Sequence, residues 1–187
     1  MRLLRCRLAV LGESAVGKTA LIQMFKSEGA HYPKNYIMTL AAEFHSKTVQ
    51  IREKDTSVEF YVMDLSGKGL YDSLRRQVLE GTSMFIVVYD VTNEESFKMA
   101  EKWIDEYNAV VSNSVGGALI GNKSDLEERI EVKTQRGQDL AREHNLAFFE
   151  CSALRGTEVE TPFNWLANAF LNAYEDKMKL YASLDKS

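Results

Sequence analysis

A chain of 187 residues, 45% apolar and 27% charged, is long enough for one domain whose core hides roughly 70% of the surface its unfolded form exposes. A net charge of −4 without a basic tract argues against nucleic acid as a main partner. No apolar run approaches the ~20 residues of a membrane span, and Cys6 and Cys151, which lack metal-ligand spacing, read as reduced thiols in a reducing compartment.

Strand-like and helix-like segments alternate, which predicts one α/β domain over residues 1–187: three layers around a mainly parallel six-stranded sheet, with helices on both faces. The basic-then-apolar start has no small-residue cleavage site, so it reads as the approach to a strand and not as a leader. Residues 5–11 form the first strand. Residues 17–27 follow as a helix with Ala20, Leu21, Met24 and Phe25 on one face. Residues 42–51 and 58–64 are expected to be a strand pair, with the one antiparallel turn in residues 55–60. Residues 84–90 are continuously apolar, as befits a strand covered on both faces.

Thr92-Asn93-Glu94-Glu95 reads as a capping box for a helix on which Phe97, Ala100, Ile104, Tyr107 and Val111 keep helical spacing. A strand over 118–121, a helix over 135–144 that carries Gly137, and a strand over 147–150 follow. Thr161-Pro162 opens the last helix, with proline where its missing N–H is harmless, and Phe163, Leu166, Ala167, Phe170 and Tyr174 on the buried face. Exposed apolar residues between 170 and 181 are candidates for a docking face. A short polar tail is expected from about residue 178. It contains no cysteine, so no prenyl group and no direct membrane anchor are expected.

Gly12-Glu13-Ser14-Ala15-Val16-Gly17-Lys18-Thr19 fits the P-loop pattern G-x-x-x-x-G-K-S/T, and it lies between a strand and a helix. Successive backbone N–H groups and a helix N-terminus there make an anion site. Lys18 is placed to reach β- and γ-phosphates, and the Thr19 hydroxyl to ligate Mg²⁺. Asn122-Lys123-Ser124-Asp125 follows a strand end, where ligands sit on α/β sheets. The Asp125 carboxylate can accept from guanine N1 and N2, donors that adenine lacks. Lys123 can lay its stem along the base, and Asn122 can tie this loop to the P-loop. Ser152 and Ala153 are expected to offer backbone N–H to the guanine carbonyl.

In order and spacing these motifs resemble those of small GTPases of the Ras superfamily, nearest the Rab branch, over nearly all of residues 5–177. Asp64-Leu65-Ser66-Gly67 resembles the family's second switch, and Tyr32-Pro33-Lys34-Asn35-Tyr36-Ile37-Met38-Thr39 its first. The resemblance implies GTP/GDP and Mg²⁺ as cofactors. Nucleotide contacts are then expected from Glu13, Ser14, Ala15, Val16, Gly17, Lys18, Thr19 and Ala20. Tyr32, Tyr36, Thr39 and Gly67 contribute from the switches, and Asn122, Lys123, Asp125, Ser152, Ala153 and Leu154 from the base loops. Thr19, Thr39 and Asp64 are the expected metal residues. Lys18, Thr39 and Gly67 are expected to act in catalysis, with contacts to γ-phosphate ordering both switches.

The sequence departs from the family where glutamine usually follows the switch-II glycine. Lys68 stands there, and a protonated lysine donates hydrogen bonds but cannot accept one from an attacking water. Slow hydrolysis is therefore expected, unless a partner supplies the missing group. Ala41 replaces an effector-region glycine, and Met63 replaces a tryptophan, so Phe44, Met63 and Tyr71 are expected to form an altered surface. The longer connector through Ser27-Glu28-Gly29-Ala30-His31-Tyr32 and the run from Val88 to Phe97 resemble one Rab-like group, the small GTPase subunits of intraflagellar transport complex B. That resemblance implies a heterodimer with a small β-sandwich (jelly-roll) transport subunit, and a place in the cytoplasm and the cilium or flagellum. A nucleotide-stabilised scaffold and an atypical vesicle-traffic Rab are the alternatives; ATP hydrolysis is disfavoured by Asp125.

Overall fold

The structure is a computed structural model and describes residues 2–33, 35, 38–39, 41–67 and 72–184. Among these, β1 (Arg2–Leu11), β2 (Ala42–Ile51), β3 (Thr56–Leu65), β4 (Met84–Asp90), β5 (Gly116–Asn122) and β6 (Ala147–Cys151) form one sheet. Its order is β2-β3-β1-β4-β5-β6. Only β2 and β3 pair antiparallel. Five α-helices accompany it among the described residues: α1 (Lys18–Lys26), α2 (Asp72–Leu79), α3 (Glu94–Val110), α4 (Thr134–Glu143) and α5 (Thr161–Leu184).

The three layers follow from strand alternation. Met84, Ile86 and Val88 of β4 join a core with Leu21, Ile22 and Phe25 of α1 and Phe163 and Leu166 of α5. Phe85, Val87 and Tyr89 point the other way, into a core with Leu79 of α2, Ile104 and Tyr107 of α3, and Ala141 of α4. All seven residues of β4 are buried, which is why that run carries no polar alternation. Gly137 fits α4 for a packing reason: a side chain there would strike the Phe148 ring and the Tyr89 hydroxyl.

Four local expectations are corrected. The β2–β3 turn is a short 3-10 segment, Arg52–Lys54, closed by Asp55 with φ 44°, and residues 56–60 are already strand. The cap of α3 is Asn93, whose Oδ1 accepts from the Ser96 N–H at 3.0 Å. Thr92 turns back instead, its hydroxyl donating to Asp90 Oδ1 at 2.7 Å. Residues 178–184 are not a polar tail: MKLYASL contains no helix breaker, and α5 continues to Leu184. Met63, expected at the surface, is buried on β3 opposite Phe44, and of that altered surface Phe44 alone is described as exposed. Tyr71 lies outside the described residues.

Phe163, Leu166 and Ala167 are buried as expected, while Phe170 and Tyr174 pack half-buried against the same core. Cys6 and Cys151 are free and buried, and burial pushes both thiols up to about 12. No helix among the described residues is long and apolar enough to cross a membrane.

Candidate nucleotide-binding cleft

β1, β3, β4, β5 and β6 end on one rim, and the loops that leave them enclose a cleft of about 690 Å³. The strand order reverses at β1, so the cleft occupies the switch point where open α/β sheets bind ligands. Its lining is drawn from the P-loop, from Tyr32, Pro33, Asn35, Met38 and Thr39, from Ser66-Gly67, and from the loops after β5 and β6.

The phosphate end is built by the turn from β1 into α1. Gly12 has φ 137° and Gly17 φ 100°. A side chain at Gly12 would collide with the Val88 carbonyl, and one at Gly17 with the Asn122 amide, so both glycines are required for geometric reasons. Lys18 is buried, and its ammonium donates to the carbonyls of Gly12 and Glu13, both at 2.8 Å. Burial pushes its pKa down to about 8, against a partial counter-pull from Asp64. Gly67 packs on the same loop, and a Cβ there would sit 2.5 Å from the Ser14 nitrogen.

The opposite side of this end is a cluster of oxygens. Asp64 is fully buried, and its Oδ2 accepts from the Thr19 hydroxyl. The Thr39 hydroxyl lies 3.1 Å from that of Thr19 and donates to Asp64 Oδ2 at 3.4 Å. Asp64 Oδ1 has no hydrogen-bond partner among the described residues. Burial pushes the Asp64 carboxyl up, and the Thr19 bond and Lys18 only partly offset this. Two hydroxyls on one oxygen of a buried carboxylate, whose other oxygen is orphaned, are a donor set that fits a hard dication such as Mg²⁺. β2 adds Glu43 and His45 alongside, their ligand atoms and that of Asp64 all within 4.8 Å of one another. No sequence motif singles out either residue.

The base end is interlocked. Asn122 Nδ2 donates to the Val16 carbonyl at 2.9 Å, and its Oδ1 accepts from the Ala153 N–H at 3.1 Å. Ser152 Oγ donates to Asp125 Oδ1 at 2.6 Å and accepts from the Arg155 N–H at 3.0 Å. Lys123 adopts φ 68° and pairs its ammonium with Asp90 Oδ2. This places the lysine stem along the cleft wall and brings in Asp90, which the sequence reading missed.

Of the expected nucleotide residues, Ser14, Ala15, Gly17, Lys18, Thr19 and Ala20 line the cleft, as do Tyr32, Thr39, Gly67, Asn122, Lys123, Asp125, Ala153 and Leu154. Three stand behind it. The Val16 carbonyl braces Asn122, Ser152 braces Asp125, and the Glu13 carboxylate accepts from Trp103 on α3. Tyr36 and Lys68 lie outside the described residues. The Ser152 and Ala153 N–H groups, expected to face a base carbonyl, donate here to the Thr157 carbonyl and to Asn122 Oδ1. Gln23, Pro33, Asn35, Met38, Ser66 and Leu126 also line the cleft, and none of the base or phosphate motifs marks them.

The profile described as the Ras family matches residues 7–172. The chain is 38% identical over 176 residues to the intraflagellar transport protein 27 homolog of Trypanosoma brucei brucei, covering 94% of this chain and 95% of that one. To the protein of the same name from Mus musculus it is 38% identical over 181 residues, 96% of each chain. It is also similar to Ras-related protein Rab-11B of Dictyostelium discoideum, at 33% over 163 residues, 87% of this chain and 72% of the relative.

Proposed function

Because this chain belongs to the Ras family, we propose that it is a Rab-like GTP/GDP-binding protein that hydrolyses GTP slowly and serves as a subunit of the intraflagellar transport complex. The observation that carries the nucleotide reading is the base end, where Asn122 joins the P-loop to the loop after β6 and Ser152 aims the Asp125 carboxylate. Guanine offers that carboxylate two donors, whereas adenine leaves it unpaired. Phosphates in the Gly12–Thr19 loop give the buried Lys18 ammonium a charged partner in place of two carbonyls. Thr19 and Thr39, with Asp64, would hold Mg²⁺, which would neutralise the charge between phosphates and carboxylate. Analysis of nucleotide released on denaturing freshly purified protein tests this reading. GDP or GTP is expected, and an adenine nucleotide overturns it.

Slow hydrolysis rests on Lys68. Its ammonium can donate to a γ-phosphate but cannot accept a hydrogen bond from the attacking water. Single-turnover assays are expected to show that Lys68→Gln is faster than wild type; a fast wild type unchanged by the substitution overturns the assignment.

The transport role is supported by the name of the relatives, intraflagellar transport protein 27 homolog. Within such a complex the partner is a small β-sandwich subunit, the wider assembly is complex B, and the location is the cytoplasm and the cilium or flagellum. The docking element is the projecting end of α5, where Met178, Leu180, Tyr181 and Leu184 are exposed. Co-purification from ciliated cells with wild type and Tyr181→Glu tests this; equal recovery of transport subunits removes α5 as the dock. Equal partner affinity in the GDP and GTP-analogue states makes the protein a scaffold, because a ligand shifts only states it distinguishes.

A further inference from the structure

Resting on the guanine-nucleotide reading above, we propose that Trp103 couples the P-loop to α2, and that this coupling slows release of the bound nucleotide. Glu13 is a P-loop residue whose side chain does not line the cleft. Its Oε1 accepts from Trp103 Nε1 at 3.1 Å. Trp103 is buried on α3, and an indole N–H can only donate, so this bond satisfies a group that has few alternatives. The Glu13 carbonyl is one of the two that hold the Lys18 ammonium. The indole therefore fixes a residue whose backbone contacts the phosphate-binding lysine.

The other face of the link is Arg75 of α2, buried with its guanidinium 4.6 Å from the centre of the Trp103 ring. The cation is fixed in that stack from two directions. Its Nε and Nη2 donate to the two oxygens of Glu106, at 2.6 and 3.2 Å. Its Nη1 approaches the Ser66 carbonyl at 3.5 Å. Ser66 precedes Gly67, which packs on the backbone of residues 12–14. A shift of Ser66-Gly67 with the state of the γ-phosphate thus displaces Arg75, which must unstack from the indole or carry it along. The P-loop senses that displacement through Glu13, without direct contact between the nucleotide and α2.

The test is radiolabelled GDP release from the full-length, Mg²⁺-loaded protein. Trp103→Phe keeps a ring in place and deletes the N–H. Loss of one hydrogen bond to a charged acceptor corresponds to at most roughly 12- to 160-fold faster release. Glu13→Ala is expected to give a similar increase, and the double variant to be no faster than the quicker single one, because both remove one interaction. In a Trp165→Phe background, Trp103 is the only one of the chain's two tryptophans left. Its emission is expected to differ between GDP and GTP-analogue states, and Arg75→Leu to abolish that difference. This arm leaves Trp103 and Glu13 intact, so it stands even if Trp103→Phe does not fold. Singles that multiply in the double variant, or Trp103 emission identical in both states, overturn the coupling. A wild type that does not retain GDP overturns the nucleotide reading and the coupling with it.

Discussion

The base end and the metal end of the cleft are equally buried but finished differently. Asn122 is 1% exposed and Asp64 0%. Both amide atoms of Asn122 have partners in the chain, and Asp125 is braced by Ser152. Asp64, by contrast, keeps an unpartnered oxygen, and burial pushes its carboxyl up. A buried polar group left unpaired is costly, so the two ends have opposite consequences for the ligand-free fold. The base end is completed by the chain's own hydrogen bonds. The metal end keeps an open acceptor that a cation would complete.

The largest expected effect breaks the base end without unfolding it. Asp125→Asn replaces an acceptor pair by one acceptor and one donor, so two charge-assisted bonds to guanine are lost. Guanine-nucleotide affinity is expected to fall by roughly 10²- to 10⁴-fold. The Asn oxygen still accepts from Ser152, so the melting temperature of the ligand-free protein is expected to change little. Calorimetric titration with GDP and a thermal melt check the two halves. Next in size, Asn122→Ala strands the Val16 carbonyl and the Ala153 N–H in a buried place. A loss of about 2–5 kcal/mol in unfolding free energy is expected even without nucleotide, read from urea denaturation.

Lys18 sharpens the contrast through pH. Its folded pKa is pushed down to about 8 from an ordinary 10.5 by burial. Between those values the unfolded chain holds more protons than the folded one, so ligand-free stability rises with pH from about 8 upward. Below about 8 the penalty of the buried ammonium is complete and constant. The wild-type stability minus that of Lys18→Met is expected to climb by at most about 3 kcal/mol between pH 7 and pH 10. Bound GDP, by pairing the ammonium, is expected to flatten the climb.

The same contrast governs what the sequence made legible. The base and phosphate residues are confined by hydrogen-bond chemistry and backbone geometry at strand ends, so Gly12, Gly17, Asn122 and Asp125 stand out as motifs. Strand β4 was legible to the residue because burial on both faces leaves no polar alternation. Contacts between distant residues of no fixed type were not: Trp103 with Glu13, Arg75 with Glu106, and Lys123 with Asp90 satisfy no pattern. Helix α2, only eight residues long, was missed. The β2–β3 turn was placed too late because Thr56 and Ser57 look like loop residues, whereas β1 pairs with and buries them. Thr92 and Asn93 are both good caps, and the Asp90 carboxylate, by claiming Thr92, decides between them.

The smallest expected effect is the sharpest test, because its sign depends on whether ligand is present. Asp64→Asn removes a buried charge whose desolvation outweighs the help from Thr19 and Lys18, as the upward shift of its carboxyl shows. The amide keeps an oxygen to accept from Thr19. The ligand-free variant is therefore expected to be more stable than wild type by about 1 kcal/mol. With GDP and Mg²⁺ the order is expected to reverse, because a neutral amide cannot complement a dication that would sit beside it with Thr19 and the phosphates. Thermal melts of both proteins, in EDTA and then with saturating Mg²⁺ and GDP, should cross. If Asp64→Asn lowers stability equally in both conditions, the metal end is completed by the chain itself, and the distinction between the two ends of the cleft is lost.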